Sequence, residues 1–155
     1  MFLGLVAFLG KNAVVGDRFN DNGDGTVTDH IRGVMWAKHD SQGDIDWKGA
    51  QRYCKLGPPQ LVGKYDNWRM PMLIDELRSL YVKDKNYKGY ETDCGQWVKI
   101  VPDIKLGCGW VWAGEKRSIT ARVFNFRRGY DYTDRVVHKR HYRALPVRDL
   151  EIKGK

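Results

Sequence analysis

The stretch from Arg18 to Lys38, RFNDNGDGTVTDHIRGVMWAK, limits the fold more than any other part of the chain. Its centre, Asp21-Asn22-Gly23-Asp24-Gly25, concentrates residues that accept positive φ and hydrogen-bond their own backbone, so it reads as a turn. Strand-forming residues flank it, Arg18 to Asn20 before and Thr26 to Asp29 after. A second turn at His30 to Gly33 then leads into Val34 to Lys38. The competing reading is a calcium loop, because Asn20, Asn22 and Asp24 fall on the first three odd positions of an EF-hand and Gly25 on its bend. The position that must supply a bidentate glutamate is then Ile31, and neither flank has helical periodicity. A three-stranded antiparallel meander is expected here, with no metal.

Further on the period changes. In DWKGAQRYCKLG, Trp47, Ala50 and Cys54 share one face of a short helix, with Asp46 at its N-cap and Gly57 just past its end. In DNWRMPMLIDELRSLY, Pro71 holds Met70 extended, and Ile74, Leu77 and Tyr81 then line one face of a second helix. Asp75 and Glu76 sit in its first turn, where the helix dipole favours carboxylates. From Lys83 to Gly109 no period is sustained, which predicts a long irregular surface loop region. The remainder is strand-like as far as Leu150. Ile119, Ala121 and Val123 alternate with Thr120 and Arg122, as in a sheet with one wet face, and Arg127 and Arg128 lie at a hairpin tip.

The formal charge is +8 and unevenly placed. From Gly114 onward there are twelve Lys/Arg against five Asp/Glu, whereas residues 1–113 carry fifteen against fourteen. Such a basic tail points either to a polyanionic partner or to a solvated strand surface. The opening MFLGLVAFLG is shorter than the ~20 residues a bilayer span needs. Residues 1–16 read either as a signal-peptide remnant or as a first strand, and 17–155 as a single domain. Cys54, Cys94 and Cys108 are an odd number, so one stays free or finds a partner elsewhere. A Cys94–Cys108 bridge would add about 3 kcal/mol by loop entropy, and only in an oxidising compartment.

These landmarks together resemble the C-terminal domain family of the Legionella collagen-like (Lcl) adhesin, long catalogued as a domain of unknown function. RFNDNGDGTVTDHIRGVMWAK is similar to the family's opening, NWRMP with DEL to its central motif, and ARVFNFRRGYD with PVRD to its closing strands. The resemblance runs from Asp17 to Arg148. It implies an α+β, C-type-lectin-like fold with two short helices packed on antiparallel sheet. It also implies a secreted or surface-displayed bacterial or phage protein, as most members of the family are expected to be, and a binding module rather than an enzyme, since the adhesin that names the family binds sulfated glycosaminoglycans as a trimer. Two departures matter. The usual threonine cap of the second helix is replaced by Met72 or Leu73. The cysteine that often precedes the last strand is Pro146, so Cys54 loses that partner and the disulfide candidate becomes Cys94 with Cys108.

No catalytic motif is present: there is no nucleophile elbow, phosphate-cradling glycine loop or zinc-protease signature. The expected activity is therefore binding rather than catalysis, with no cofactor. The candidate ligand residues are Arg117, Arg122, Arg127, Arg128, Arg135, Lys139, Arg140 and Arg143, whose forked or point charges suit sulfate, phosphate or carboxylate. Trp112 and Tyr130 would offer flat faces, with Trp110 and Tyr132 beside them, although at least one tryptophan of the Trp110/Trp112 pair belongs in the core. His138 and His141 read as facing opposite sides of a strand, so they share no metal. The expected partner is an acidic glycan or other polyanion, bound without calcium through the basic C-terminal sheet. The alternative is a structural domain of a phage or surface fibre that docks an acidic protein partner or self-associates. No recognition helix or RNA-binding sheet motif supports a nucleic-acid ligand.

Overall fold

The opening turn chemistry is realised as three antiparallel strands, β1 (Phe19–Asp21), β2 (Thr26–Asp29) and β3 (Val34–Ala37). Phe19 lies opposite Asp29, and Thr26 opposite Ala37. The computed structural model describes residues 18–151, so both readings of residues 1–16 lie outside the described residues. The turn carboxylates are occupied by the protein's own donors. Asp21 accepts the Gly23 N–H at 2.9 Å, and Asp24 accepts the N–H of Thr26 at 3.0 Å and its hydroxyl at 2.6 Å. The other Asp24 oxygen receives the Tyr65 hydroxyl at 2.6 Å and the Lys64 ammonium at 3.0 Å. Among the described residues, no group of three or more His, Cys, Asp or Glu is placed to share a metal ion.

Helix α1 (Trp47–Leu56) begins where Asp46 accepts the Gly49 N–H at 2.8 Å and ends at Gly57. Gly57 has φ +82°, and a Cβ there would lie 2.3 Å from Trp68 Cδ1, so only glycine fits. Helix α2 (Ile74–Arg78) is shorter than the sequence periodicity predicts, because Tyr81 leaves the helix to bridge Ile100. Its N-cap, Leu73, offers no side-chain acceptor. The Ile74 N–H is instead met at 2.9 Å by Glu115, and the Met72 N–H at 2.8 Å by Glu76.

Two more strands, β4 (Tyr90–Glu91) and β5 (Trp97–Val98), form a short ribbon. The second sheet has the order β8-β7-β6-β9, from β6 (Trp110–Arg117), β7 (Thr120–Asn125), β8 (Tyr130–Arg135) and β9 (Tyr142–Arg143). Only β9 runs parallel to its neighbour, β6. The last strand, β10 (Val147–Asp149), pairs with β3. It brings the two ends of the described chain into one sheet, β1-β2-β3-β10.

The expected alternation holds from Thr120 to Val123, where Ala121 and Val123 are buried and Thr120 and Arg122 partly exposed, but beyond it both faces of β7 are covered, and Ile119, expected on the buried face, is exposed. Ala121 and Val123 pack with Trp112, Tyr142 and the Ala50 and Cys54 side of α1. Phe124 and Phe126, on the opposite side, pack with Ile74 and Leu77 of α2, Val27 and Trp36. The region Lys83–Gly109 is likewise more than surface loop, since Val98, Ile100, Ile104 and Leu106 are buried in that same cluster. Among the described residues the regular structure is thus mostly sheet with two short α-helices, an α+β arrangement.

Candidate ligand-binding site

The strand expected to run on towards Leu150 stops at Arg135. Val136 still pairs with the chain, donating to Ile119 O at 2.8 Å and accepting from Trp47 N at 3.0 Å. Beyond it the backbone turns, with the Tyr142 N–H bonded to Lys139 O at 3.0 Å, and re-enters the sheet as β9. His138 to His141 are therefore loop, not strand. His141 holds φ +70°, a left-handed conformation that costs a non-glycine residue energy and that clusters at functional sites. Both imidazoles line one depression of about 390 Å³, together with Trp110, Asp134, Lys139, Arg140 and Tyr142. This corrects the expectation that the two histidines face apart.

The wall of the depression is a hydrogen-bonded chain. The Tyr142 hydroxyl donates to Asp134, and the Tyr132 hydroxyl lies 2.9 Å from that of Tyr142, which places Tyr132 as its donor. His138 Nδ1 meets the other Asp134 oxygen at 2.7 Å. Burial raises the Asp134 carboxyl, but bonds from Tyr142, the Arg135 N–H and His138 outweigh it and hold the group below its ordinary range, hence ionised. Burial and then the Asp134 bond push the Tyr142 hydroxyl far up, so it stays a donor. The Trp110 ring stands 5.4 Å from that of Tyr142 and 5.9 Å from that of His141. Gln96 ties this rim to the ribbon: its Nε2 is 3.5 Å from His141 Nδ1, and its Oε1 accepts the Gly109 N–H at 3.0 Å. Cys94 and Cys108, joined as a disulfide, staple the ribbon turn to the start of β6.

The fold divides the expected ligand residues. Trp112 is fully buried, with its indole N–H on Ile45 O at 2.9 Å, and Arg143 is buried between Asp44 at 2.5 Å and Asp40 at 3.7 Å. Neither can reach a ligand, which corrects both expectations: a side chain without solvent exposure contributes packing or internal charge balance. Arg122 pairs with Asp131, which also receives Arg78 from α2, on the face of the sheet opposite Trp110. Arg117 and Arg135 flank Thr120 at one end of β7, whereas Arg127 and Arg128 follow Asn125 at the other. Five residues of strand separate these ends, roughly 17 Å. Arg127 lies at the Trp110 end, its side chain packed over Gly109. Lys139 and Arg140 line the depression, and Tyr130 is exposed near Tyr132, with ring centroids 6.0 Å apart.

The sequence reading left Asp134, His138, His141 and Tyr142 out of the candidate set. No Gly, Pro, Asn or Asp interrupts Val136 to His141, so no turn residue marks the break. The only local signal is the spacing of Asp134 and His138.

The arrangement is a shallow, aromatic-walled rim with cationic side chains, no assembled nucleophile and no metal cluster among the described residues. Against known families, the Lcl C-terminal domain model matches residues 25–148. The chain belongs to the Lcl C-terminal domain family. In line with its name, this Lcl domain is a surface- or adhesin-associated module, and among the described residues no helix is long and apolar enough to cross a membrane. No curated protein and no solved structure matches the chain.

Proposed function

We propose that this Lcl domain is a non-enzymatic module that captures an acidic glycan, without calcium, on a scaffold of the C-type-lectin kind. The contact surface is the rim built from the 138–141 loop and the β7–β8 hairpin tip, narrower than the whole basic sheet. One observation carries this reading: Arg127, Arg128, Lys139 and Arg140, which like Arg117 and Arg135 have no carboxylate within 4.0 Å among the described residues, gather at the Trp110 end of the sheet, while Arg122 and Arg143 are internally neutralised. Unpaired cations beside the Trp110 ring and the ionised Asp134 combine donors for acidic substituents, a flat face and an acceptor for hydroxyls.

Heparin chromatography with site-directed variants tests it. Arg127→Ala/Arg128→Ala and Lys139→Ala/Arg140→Ala are each expected to elute at lower salt than the parent, by more than Arg117→Ala/Arg135→Ala at the far end. A chelator should leave all elution positions unchanged. Equal shifts for the three double variants would show that only net charge is sensed. Elution of the parent with a neutral control of the same size would refute the reading altogether.

A further inference from the structure

The β4–β5 ribbon carries an aromatic feature that the rim described above does not use. Of the six tryptophans, only Trp97 is exposed, at 53%. Its indole N–H donates to Lys88 O across the ribbon, which fixes the ring while leaving its surface in water. The backbone beneath is equally constrained. Glu91 lies opposite Trp97 and Tyr90 opposite Val98, and the Thr92 N–H closes the turn on Gln96 O at 2.9 Å. A side chain at Gly89 would put its Cβ 2.0 Å from Val98 O, so ribbon and loop pack backbone to backbone. The Cys94–Cys108 bridge anchors the turn to the start of β6. The exposed half of a large apolar ring adds nothing to folding, whereas a stacking platform needs both rigidity and exposure.

The residues around this ring suit a sugar. Glu91, its cross-strand neighbour, is exposed, and Lys99 follows just past the end of β5, its ammonium donating to Asp84 O at 3.1 Å. Neither Lys88 nor Lys99 has a carboxylate within 4.0 Å among the described residues. The ribbon also adjoins the rim: Gln96 touches His141, and the Lys99 N–H bonds to Phe126 O at 3.0 Å, immediately before Arg127.

We propose that Trp97 forms a second contact site, stacking on a pyranose ring of the same anionic polysaccharide chain, with Glu91 accepting from ring hydroxyls and Lys88 and Lys99 meeting acidic substituents. This rests on the glycan reading given above. It makes the ligand an extended chain that crosses from the 138–141 loop over the Arg127 tip to the ribbon.

The test is calorimetric titration of the full chain with heparin-derived dodecasaccharide and tetrasaccharide, alongside acrylamide quenching of tryptophan fluorescence. Trp97→Ala is expected to weaken dodecasaccharide binding about tenfold, the scale of one lost stacking contact, and Trp97→Phe to weaken it less. The parent should prefer the dodecasaccharide strongly, and Trp97→Ala should lose much of that preference. The dodecasaccharide should shield tryptophan from acrylamide more in the parent than in Trp97→Phe, where Trp110 is the tryptophan left beside the ligand. If Trp97→Ala binds within twofold of the parent while Arg127→Ala/Arg128→Ala has lost binding, the second site is refuted and the rim stands. If the parent binds neither oligosaccharide, both are refuted.

Discussion

Glu115 on β6 accepts the backbone N–H of Ile74 at 2.9 Å, so a strand 41 residues downstream caps helix α2. The cap position itself is Leu73, which has no acceptor. Glu115→Ala is expected to cost about 1 kcal/mol, the usual worth of an N-cap, and Glu115→Gln much less, because the amide oxygen can still accept. Restoring a local cap with Leu73→Thr should rescue Glu115→Ala. Chemical denaturation of the three variants checks this, and an unchanged midpoint for Glu115→Ala would remove the cap from the account.

Gly57 is expected to tolerate no side chain. Gly57→Ala combines a φ of +82° with a clash against the buried Trp68 ring, so the loss should exceed the ~1 kcal/mol of backbone strain alone. Thermal unfolding would show it as a drop of several degrees, whereas Gly63→Ala, with positive φ but open space, should fall less.

Cys94 and Cys108 are 14 residues apart in sequence, a loop whose closure is worth about 3 kcal/mol in the chain-entropy account. Cys94→Ser/Cys108→Ser should lose stability on that scale and match the parent under reducing conditions. Cys54 should stay unmodified by thiol reagents in the native state, because it is fully buried and burial pushes its thiol well above the ordinary range.

Stability should carry two opposed pH dependences. Burial raises Asp40 to about 6 from an ordinary 3.8, against the lowering effect of the Gly107 and Gln42 N–H groups and Arg143. Because its native pKa is the higher one, its contribution is full below the unfolded value and disappears as pH rises through 6. Asp29 and Glu76 run the other way. Burial raises each, but Arg18 and Arg69 respectively, with nearby N–H donors, bring them below the ordinary range. Their contribution is present above that range and lost as pH falls through the native values. Asp40→Asn should therefore gain relative to the parent between pH 4 and 7, by on the order of 2 kcal/mol. Denaturation midpoints at several pH values decide this, and a constant difference between variant and parent would contradict it.

What the sequence determined by itself was everything held by local chemistry. The meander follows from the turn residues Asp21 to Gly25, which satisfy their own backbone, and α1 from Asp46 and Gly57 at its ends, all within a few residues of what they cap. What only the tertiary structure decided was the fate of each charge and each ring. Arg143 meets Asp44 across 99 residues, Arg122 shares Asp131 with Arg78 from a helix, and Trp112 is buried where Trp110 is not. Strand alternation names two faces without saying what covers them: α1 packs against Ala121 and Val123 and α2 against Phe124, while Thr120 and Arg122 stay partly exposed. The 138–141 loop contains no turn former; its chain reverses because β9 must reach β6 in parallel. A cation becomes available to a ligand only after the fold has placed the acids, and that placement depends on contacts between residues far apart in the chain.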